Sequence, residues 1–373
     1  MKILVAPDKF AGTLTAVEAA EAIAEGWRRR APQDELDLAP MADGGPGFVD
    51  VLHAALDGAL LAVTVTGPYG EEVPATVLLD GDTAYVEAAQ ACGLDLTSPD
   101  EREPERATSR GVGDLVGAAA DAGVGRIVVG LGGSATNDGG AGLLSALGAT
   151  SEPPGALDRG PLPLTDLTSV DVSAARDRLG DVEVVAASDV DNPLLGLTGA
   201  TKVFGPQKGV AEDRLPALDS ALERLAAVTD EKVARHQGAG AAGGLGFALL
   251  LLGAHREPGF DIVAKAVRLA ERASEADLVL TGEGSFDFQS SSGKVPYGVA
   301  KVAEQAIRPC VALAGSVLVG SREMRALGVE AAYSVVDLVG KDRAFAAPAE
   351  SLAGLAERVA RTWSTSRTGD PGE

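Results

Sequence analysis

The sequence predicts an α/β protein of two domains, one a doubly wound parallel sheet and the other a mixed α/β insertion. Three observations predict it. The chain opens strand–helix–strand, and the same texture returns after residue 277. Aromatic residues make up only 4% of a chain that is 46% hydrophobic, so the core must be built from Ala, Val, Leu and Ile, which suit helices laid on parallel strands. The 47 glycines gather in short runs where strands give way to helices, the pattern of tight turns and close backbone approach.

Taken in order, residues 2–7 form a buried-strand run. Residues 15–30 carry helical spacing through Val17, Ala20, Ile23, Ala24 and Trp27, and 35–40 form a second strand. Thr15 with Glu18 three residues on completes a capping box. Segments 61–66, 73–79 and 83–89 alternate as strands between Gly-Pro-Tyr-Gly and Asp-Gly-Asp turns. Helix and strand alternate again over 111–131 and through 182–187, while 150–165, rich in Pro and Gly, reads as a surface loop. Helical spacing runs over 213–227 and 261–274; then come a strand at 278–281, a helix at 295–306 and a strand at 311–313. Residues 364–373 read as a frayed polar end. The expected division is 1–60 with 275–373 as one domain and 61–274 as an insertion within it.

Composition excludes several function classes. A formal net charge of −22 repels nucleic acid and anionic lipid, so neither is an expected partner. It also repels an anionic substrate at long range, so phosphate chemistry must rest on local donors and cations. Two cysteines, Cys92 and Cys310, cannot build a disulfide framework, and no apolar run reaches membrane-spanning length. A cytoplasmic enzyme is expected, with a homodimer as one possible assembly.

Five constellations are candidates for chemistry. In 126–148 a strand ends at Gly130, and a small-residue turn containing Gly132, Gly133, Ser134 and Asn137 leads to a helix expected near Gly140. Convergent N–H groups and a helix N-terminus there suit an anion, although a tight turn explains the glycines about as well. No Walker A loop is present, and the acidic partner of a dinucleotide fingerprint is missing. In 187–193 the expected strand continues far enough to put Asp189 and Asp191 on one face, where two carboxylates suit Mg²⁺ or a proton-accepting role. In 283–300 Asp287 follows a strand, and Lys294 precedes Pro296 at a helix start. Asp8 and Asp43 each follow a strand of the first βαβ unit, where ligands of open parallel sheets collect. Finally, 205–209 carries Lys208 between glycines, and 238–244 is a glycine run leading into an apolar helix. The three histidines show no metal-ligand spacing.

Together these strings resemble the type I bacterial glycerate kinases, from Ala6-Pro7-Asp8 to about residue 340. The resemblance is carried by MADGG at 41–45, GLGGSATNDGGAGLLSALG at 130–148, DVDNPLLG at 189–196, VFGPQKG at 203–209, GAGAAGGLGFALL at 238–250, and GSFDFQ at 284–289 with Gly293-Lys294. It implies two α/β domains, one of them flavodoxin-like, with the active site in the cleft between them. It also implies ATP- and Mg²⁺-dependent phosphorylation of (R)-glycerate, usually at the 2-hydroxyl. Departures from the family pattern stand at Lys9 and Ala11, at Pro46 and Phe48, and at Ser188. On this reading the ATP phosphates lie along the glycine-rich turn with Lys208 or Lys294 neutralising charge, and Asp191 holds Mg²⁺. Asp189 deprotonates the acceptor hydroxyl, and Lys9 or Arg110 meets the substrate carboxylate. A nicotinamide-dependent hydroxy-acid dehydrogenase and a non-catalytic glycerate sensor are the alternatives.

Overall fold

A computed structural model describes residues 1–10, 12–287 and 294–364. The chain divides into two compact units, one of Met1–Ala42, Asp50–Ala55 and Phe260–Glu373, the other of Asp43–Val49 and Leu56–Gly259. Relative to the expected boundaries, 43–49 and 56–60 join the inserted unit and 260–274 the terminal one.

The terminal unit is built on a five-stranded parallel sheet, in the order Ala331–Ser334, Cys310–Ala314, Leu278–Thr281, Lys2–Val5, Glu35–Leu38. Numbered along the unit this is the order 5-4-3-1-2, the flavodoxin-like arrangement, with its reversal between Lys2–Val5 and Leu278–Thr281. The central strands read as unbroken apolar runs because both faces are covered; Ile3, Leu4, Val5, Leu278 and Leu280 are buried. The helix Ala16–Arg30 starts at the Thr15–Glu18 capping box, with Glu18 N–H donating to Thr15 Oγ1 and Thr15 N–H to the Glu18 carboxylate. It packs on Pro348–Trp363 so closely that a Cβ on Gly26 would lie 2.6 Å from the Ala353 carbonyl carbon. Trp27, fully buried, donates its indole N–H to Asp34.

The inserted unit holds a six-stranded mixed sheet. Its order is His255–Glu257, Glu183–Ala187, Arg126–Gly130, Thr83–Glu87, Glu72–Asp80, Ala59–Thr66. The first four strands are mutually parallel, and the last two join antiparallel as a hairpin. The central parallel strands carry apolar runs, 184–187 and 127–129, whereas Ala59–Thr66 alternates, sending Leu61, Val63 and Val65 to the core.

Three sequence expectations are corrected. The segment 150–165 is not a simple surface loop: Thr150–Glu152 pairs with Ser169–Asp171, and Ala156, Leu157 and Leu164 are buried. The helix expected over 261–274 is two helices, Gly259–Ala266 and Leu269–Glu275, broken where Arg268 turns to φ 55°. The strand Ala331–Ser334 and the helix Pro348–Trp363 extend the sequence-derived order.

The helix Val295–Gln305 ends in a Schellman motif. Ile307 N–H donates to the Glu304 carbonyl and Arg308 N–H to that of Ala303, with Ile307 at φ 57°. A β-branched side chain is strained in this left-handed region, where glycine is not, and Ile307 is 88% exposed, so little burial offsets the strain. Replacing Ile307 with Gly is expected to stabilise the terminal unit by about 1 kcal/mol, read as a higher urea midpoint. An unchanged or lower midpoint would refute the strain.

Candidate functional site

In the inserted unit, the parallel strands Thr83–Glu87, Arg126–Gly130, Glu183–Ala187 and His255–Glu257 end on one edge of the sheet, and the turns that follow them gather there. The segment 43–47 lies over this edge. A Cβ on Gly44 would stand 2.8 Å from the Ala187 carbonyl oxygen, one on Gly132 2.5 Å from Gly45 Cα, and one on Gly133 2.7 Å from Pro46 Cγ. The Glu87 carboxylate accepts the N–H groups of Gly47 and Val49, each at 3.1 Å, which anchors the segment. Close approach of two backbones therefore demands glycine at 44 and 132, and at Gly133 a φ of +68° adds to the demand. Asp43 is half-buried here, accepting from Gly45 N–H at 3.1 Å. Asp43 thus belongs to the inserted unit, and Asp8 to the terminal one.

Beneath the glycine-rich turn lies Lys208, 2% exposed. Its ammonium donates to Ser134 Oγ at 3.0 Å and to the Thr136 carbonyl at 2.5 Å. Gly243 closes the enclosure, since a Cβ there would lie 2.8 Å from Lys208 Nζ. Among the described residues no carboxylate lies within ion-pair distance of this ammonium. Burial pushes its pKa down to about 8, against smaller upward pulls from Cys92 and Asp138. The lysine thus braces the turn from below and supplies positive charge that no direct ion pair neutralises.

The helix following the turn, Ala141–Ala146, has only six residues, and its N-terminus is already answered by an anion. Buried Asp138 accepts the N–H groups of Gly140 at 3.0 Å and Gly142 at 3.2 Å. It also accepts the N–H and Oγ–H of Ser109, both at 2.8 Å. The expected use of this helix end for a ligand anion is corrected: the protein's own carboxylate takes that place. Desolvation raises the pKa of Asp138 despite these four donors. Asn137, fully buried, donates from Nδ2 to Thr201 Oγ1 at 2.9 Å, and its Oδ1 has no partner among the described residues. Cys92 is buried beside them, its thiol pushed up to about 12 by desolvation. Sequence reasoning missed Asp138, Ser109, Thr136, Thr201 and Glu87. Only Asp138 had a signal, an Asp just ahead of a helix start.

The strand Glu183–Ala187 stops before Ser188, so Asp189 and Asp191 lie in a loop, and strand alternation does not place them on one face. Asp189 is half-buried beside buried Ser188. Asp191, its side chain 68% exposed, pairs with Arg256 at 2.7 Å. A guanidinium at that distance does not fit a resident divalent cation on Asp191. Among the described residues no group of three or more His, Cys, Asp or Glu side chains is arranged to hold a metal. Arg110 donates to Asp158 at 2.6 Å and lies 3.5 Å from Ser145 Oγ, so its charge already has a partner.

The terminal unit gathers a second set at its topological switch point. Asp8 and Lys9 follow the strand Lys2–Val5, and Glu283 follows its neighbour Leu278–Thr281. Asp8 N–H donates to the Gly282 carbonyl at 2.8 Å, joining the two turns. Asp8 is buried, accepts Lys9 N–H at 2.7 Å, and lies 3.9 Å from Lys9 Nζ. Lys294 sits immediately ahead of the helix Val295–Gln305, with its ammonium 3.6 Å from Glu283 and 3.8 Å from Asp287. The rest of that motif, 288–293, lies outside the described residues, as does Ala11.

Comparison with known proteins gives matches over nearly the whole chain. Residues 3–364 match the glycerate kinase family. The chain is 43% identical to a glycerate kinase of Bacillus subtilis, with 99% of each chain covered. It is 41% identical to a glycerate 2-kinase of Escherichia coli, covering 97% of this chain and 98% of that one. The solved structure of a putative glycerate kinase 2 from Salmonella typhimurium superposes with a TM-score of 0.79 at 40% identity, over 97% of this chain and 98% of the other.

Buried Lys208 ties stability to pH. Its pKa is about 8 when folded against 10.5 ordinarily, so below pH 8 both states hold the proton and the burial cost is constant. Between pH 8 and 10.5 the unfolded chain holds more protons, and stability gains from this residue as pH rises. The unfolding free energy of wild type relative to Lys208→Met should climb across this window by on the order of 3 kcal/mol, measured by urea titration. A flat difference would show that the ammonium is not desolvated.

Proposed function

The chain belongs to the glycerate kinase family, and from that premise we propose that it transfers the γ-phosphoryl group of ATP to the 2-hydroxyl of (R)-glycerate in the cytoplasm. The observation that carries the reading for this chain is the buried Lys208 ammonium, with no carboxylate among the described residues within ion-pair distance, beneath the glycine-rich turn at a sheet's C-terminal edge. Phosphoryl transfer asks chiefly for positioning and charge stabilisation, which fixed donors, a lysine and carboxylates supply. No helix among the described residues is long and apolar enough to cross a membrane.

The turn through Gly132, Gly133 and Ser134 takes the phosphates, with Lys208 acting through the Ser134 hydroxyl and its own field rather than by surface contact. Asn137 steadies the turn by donating from Nδ2 to Thr201 Oγ1. Asp189, just past the strand end, accepts the proton of the attacking hydroxyl. Mg²⁺ neutralises phosphate charge when bound with ATP, and no residue role here passes through it. Within the terminal unit Lys294, steadied by Glu283 and Asp287, is a second phosphate-neutralising cation. Lys9 beside Asp8 meets the substrate carboxylate, a role Arg110 gives up to its pair with Asp158.

Incubation with Mg-ATP and (R)-glycerate is expected to give 2-phosphoglycerate by ³¹P NMR. A 3-phosphoglycerate signal would change the regiochemistry, and no phosphoryl transfer would overturn the reading. Asp189→Asn, with folding verified, is expected to lower kcat by about 10²–10⁴-fold; turnover near wild type would remove Asp189 as the base. Lys294→Met should raise the KM for ATP or lower kcat, and unchanged kinetics would remove it from the site.

A further inference from the structure

The inserted sheet ends in an unusual edge. Ala59–Thr66 pairs with Glu72–Asp80 on one side through eight consecutive residue pairs, with no bulge, and is the sheet's last strand on the other. Natural edge strands of this length carry a Lys, a Pro, a bulge or an inward charge that blocks further pairing. Here no charged residue or bulge interrupts Ala59–Thr66, and residues 58–70 contain no charge at all. The adjoining segment 73–79 is also uncharged, in a chain of net charge −22.

The hydrogen-bonding direction of this edge follows from one contact. Thr66 N–H donates to Asp114 Oδ2 at 3.0 Å, so it points away from the neighbouring strand. In an antiparallel ladder such outward groups recur at every second residue. The main-chain groups of Leu60, Ala62 and Thr64 therefore face outward too, and none of their N–H groups has a partner among the described residues. Asp114 closes the edge at Thr66 with a second bond to its hydroxyl, at 2.9 Å, leaving the stretch around Ala62 open. Ala62 and Thr64 are exposed, and Leu60 is 44% exposed.

We propose that this edge pairs with the same edge of a second copy of the chain. Two copies related by a two-fold axis at Ala62 place Ala62 opposite Ala62, and Leu60 opposite Thr64. Each of the three pairs exchanges both of its main-chain hydrogen bonds, about six in all, and the two six-stranded sheets become one. Charge selects the occupant. Two chains each carrying −22 repel wherever carboxylates face one another, and the stretch 60–64 of this edge offers neutral backbone and side chains on both sides. The inference does not rest on the catalytic reading, since no residue of the edge belongs to the proposed site.

Light scattering after size exclusion is expected to give the full-length wild type twice the 37.6 kDa chain mass. Ala62→Asp, which sets like charges face to face at the axis, should weaken the dimer by at least about 100-fold and give a 37.6 kDa species. Circular dichroism and glycerate phosphorylation check that this variant is folded. Both native cysteines are buried, so Ala62→Cys adds the one accessible thiol and should form a disulfide-linked dimer on mild oxidation. A monomeric wild type overturns the proposal. So does a dimer that keeps its mass in Ala62→Asp and is not cross-linked in Ala62→Cys.

Discussion

The contact between the Lys208 ammonium and the turn above it sets the geometry of the glycine-rich edge. A buried charge that donates only to a hydroxyl and a carbonyl is costly, and the cost appears in the depressed pKa. The surrounding structure is arranged to hold it. Gly243 leaves room for the ammonium, Ser134 and Thr136 are buried above it, and Asn137 is tied to Thr201 alongside. Removing the lysine would leave the Ser134 hydroxyl and the Thr136 carbonyl without their donor, so the turn and the charge stand or fall together. Cys92 and Asp138, both buried nearby, are pushed toward their neutral forms by desolvation, which leaves the ammonium's field less opposed than a count of acids suggests.

The glycines of this edge were visible in the sequence, but their physical reason was not. Spacing alone leaves a phosphate cradle and a tight turn equally open. The structure shows a third cause at Gly44 and Gly132: segment 43–47 presses its backbone against the turns that leave the strands. Pro46, a departure from the family pattern, fills the space over Gly133. Asp138 illustrates the opposite case. A carboxylate ahead of a short helix reads as a cap, and it caps, collecting four donors from Ser109, Gly140 and Gly142. No local pattern links residue 109 to residue 138, so the partner was out of reach of sequence reasoning.

Legibility follows the same line elsewhere. A doubly wound domain could be read from the two ends of the chain because its central strands are apolar runs and its first helix is announced by Thr15 and Glu18, while its flavodoxin-like order was implied only by the family resemblance. The break at Arg268 could not, because helical spacing on either side of a left-handed residue looks continuous in one dimension. Asp191 misled for a related reason. Alternation is informative only while the strand lasts, and this one stops at Ala187, beyond which Arg256 decides where the carboxylate goes.

The three lysines of the proposed reaction stand in two opposite electrostatic settings. At the switch point of the flavodoxin-like sheet, Asp8, Glu283 and Asp287 outnumber Lys9 and Lys294 by three carboxylates to two ammonium groups. Such an edge holds its lysines in fixed positions, so Lys294 answers phosphate charge as a single held ammonium rather than as part of a basic patch. At the glycine-rich edge the buried acid Asp138 is raised in pKa and occupied by four donors, while among the described residues Lys208 has no carboxylate within ion-pair distance. In a chain carrying −22, a triphosphate is drawn only where local charge runs against the whole. On the proposed reading that place is the glycine-rich edge, where the Lys208 ammonium is buried under the turn.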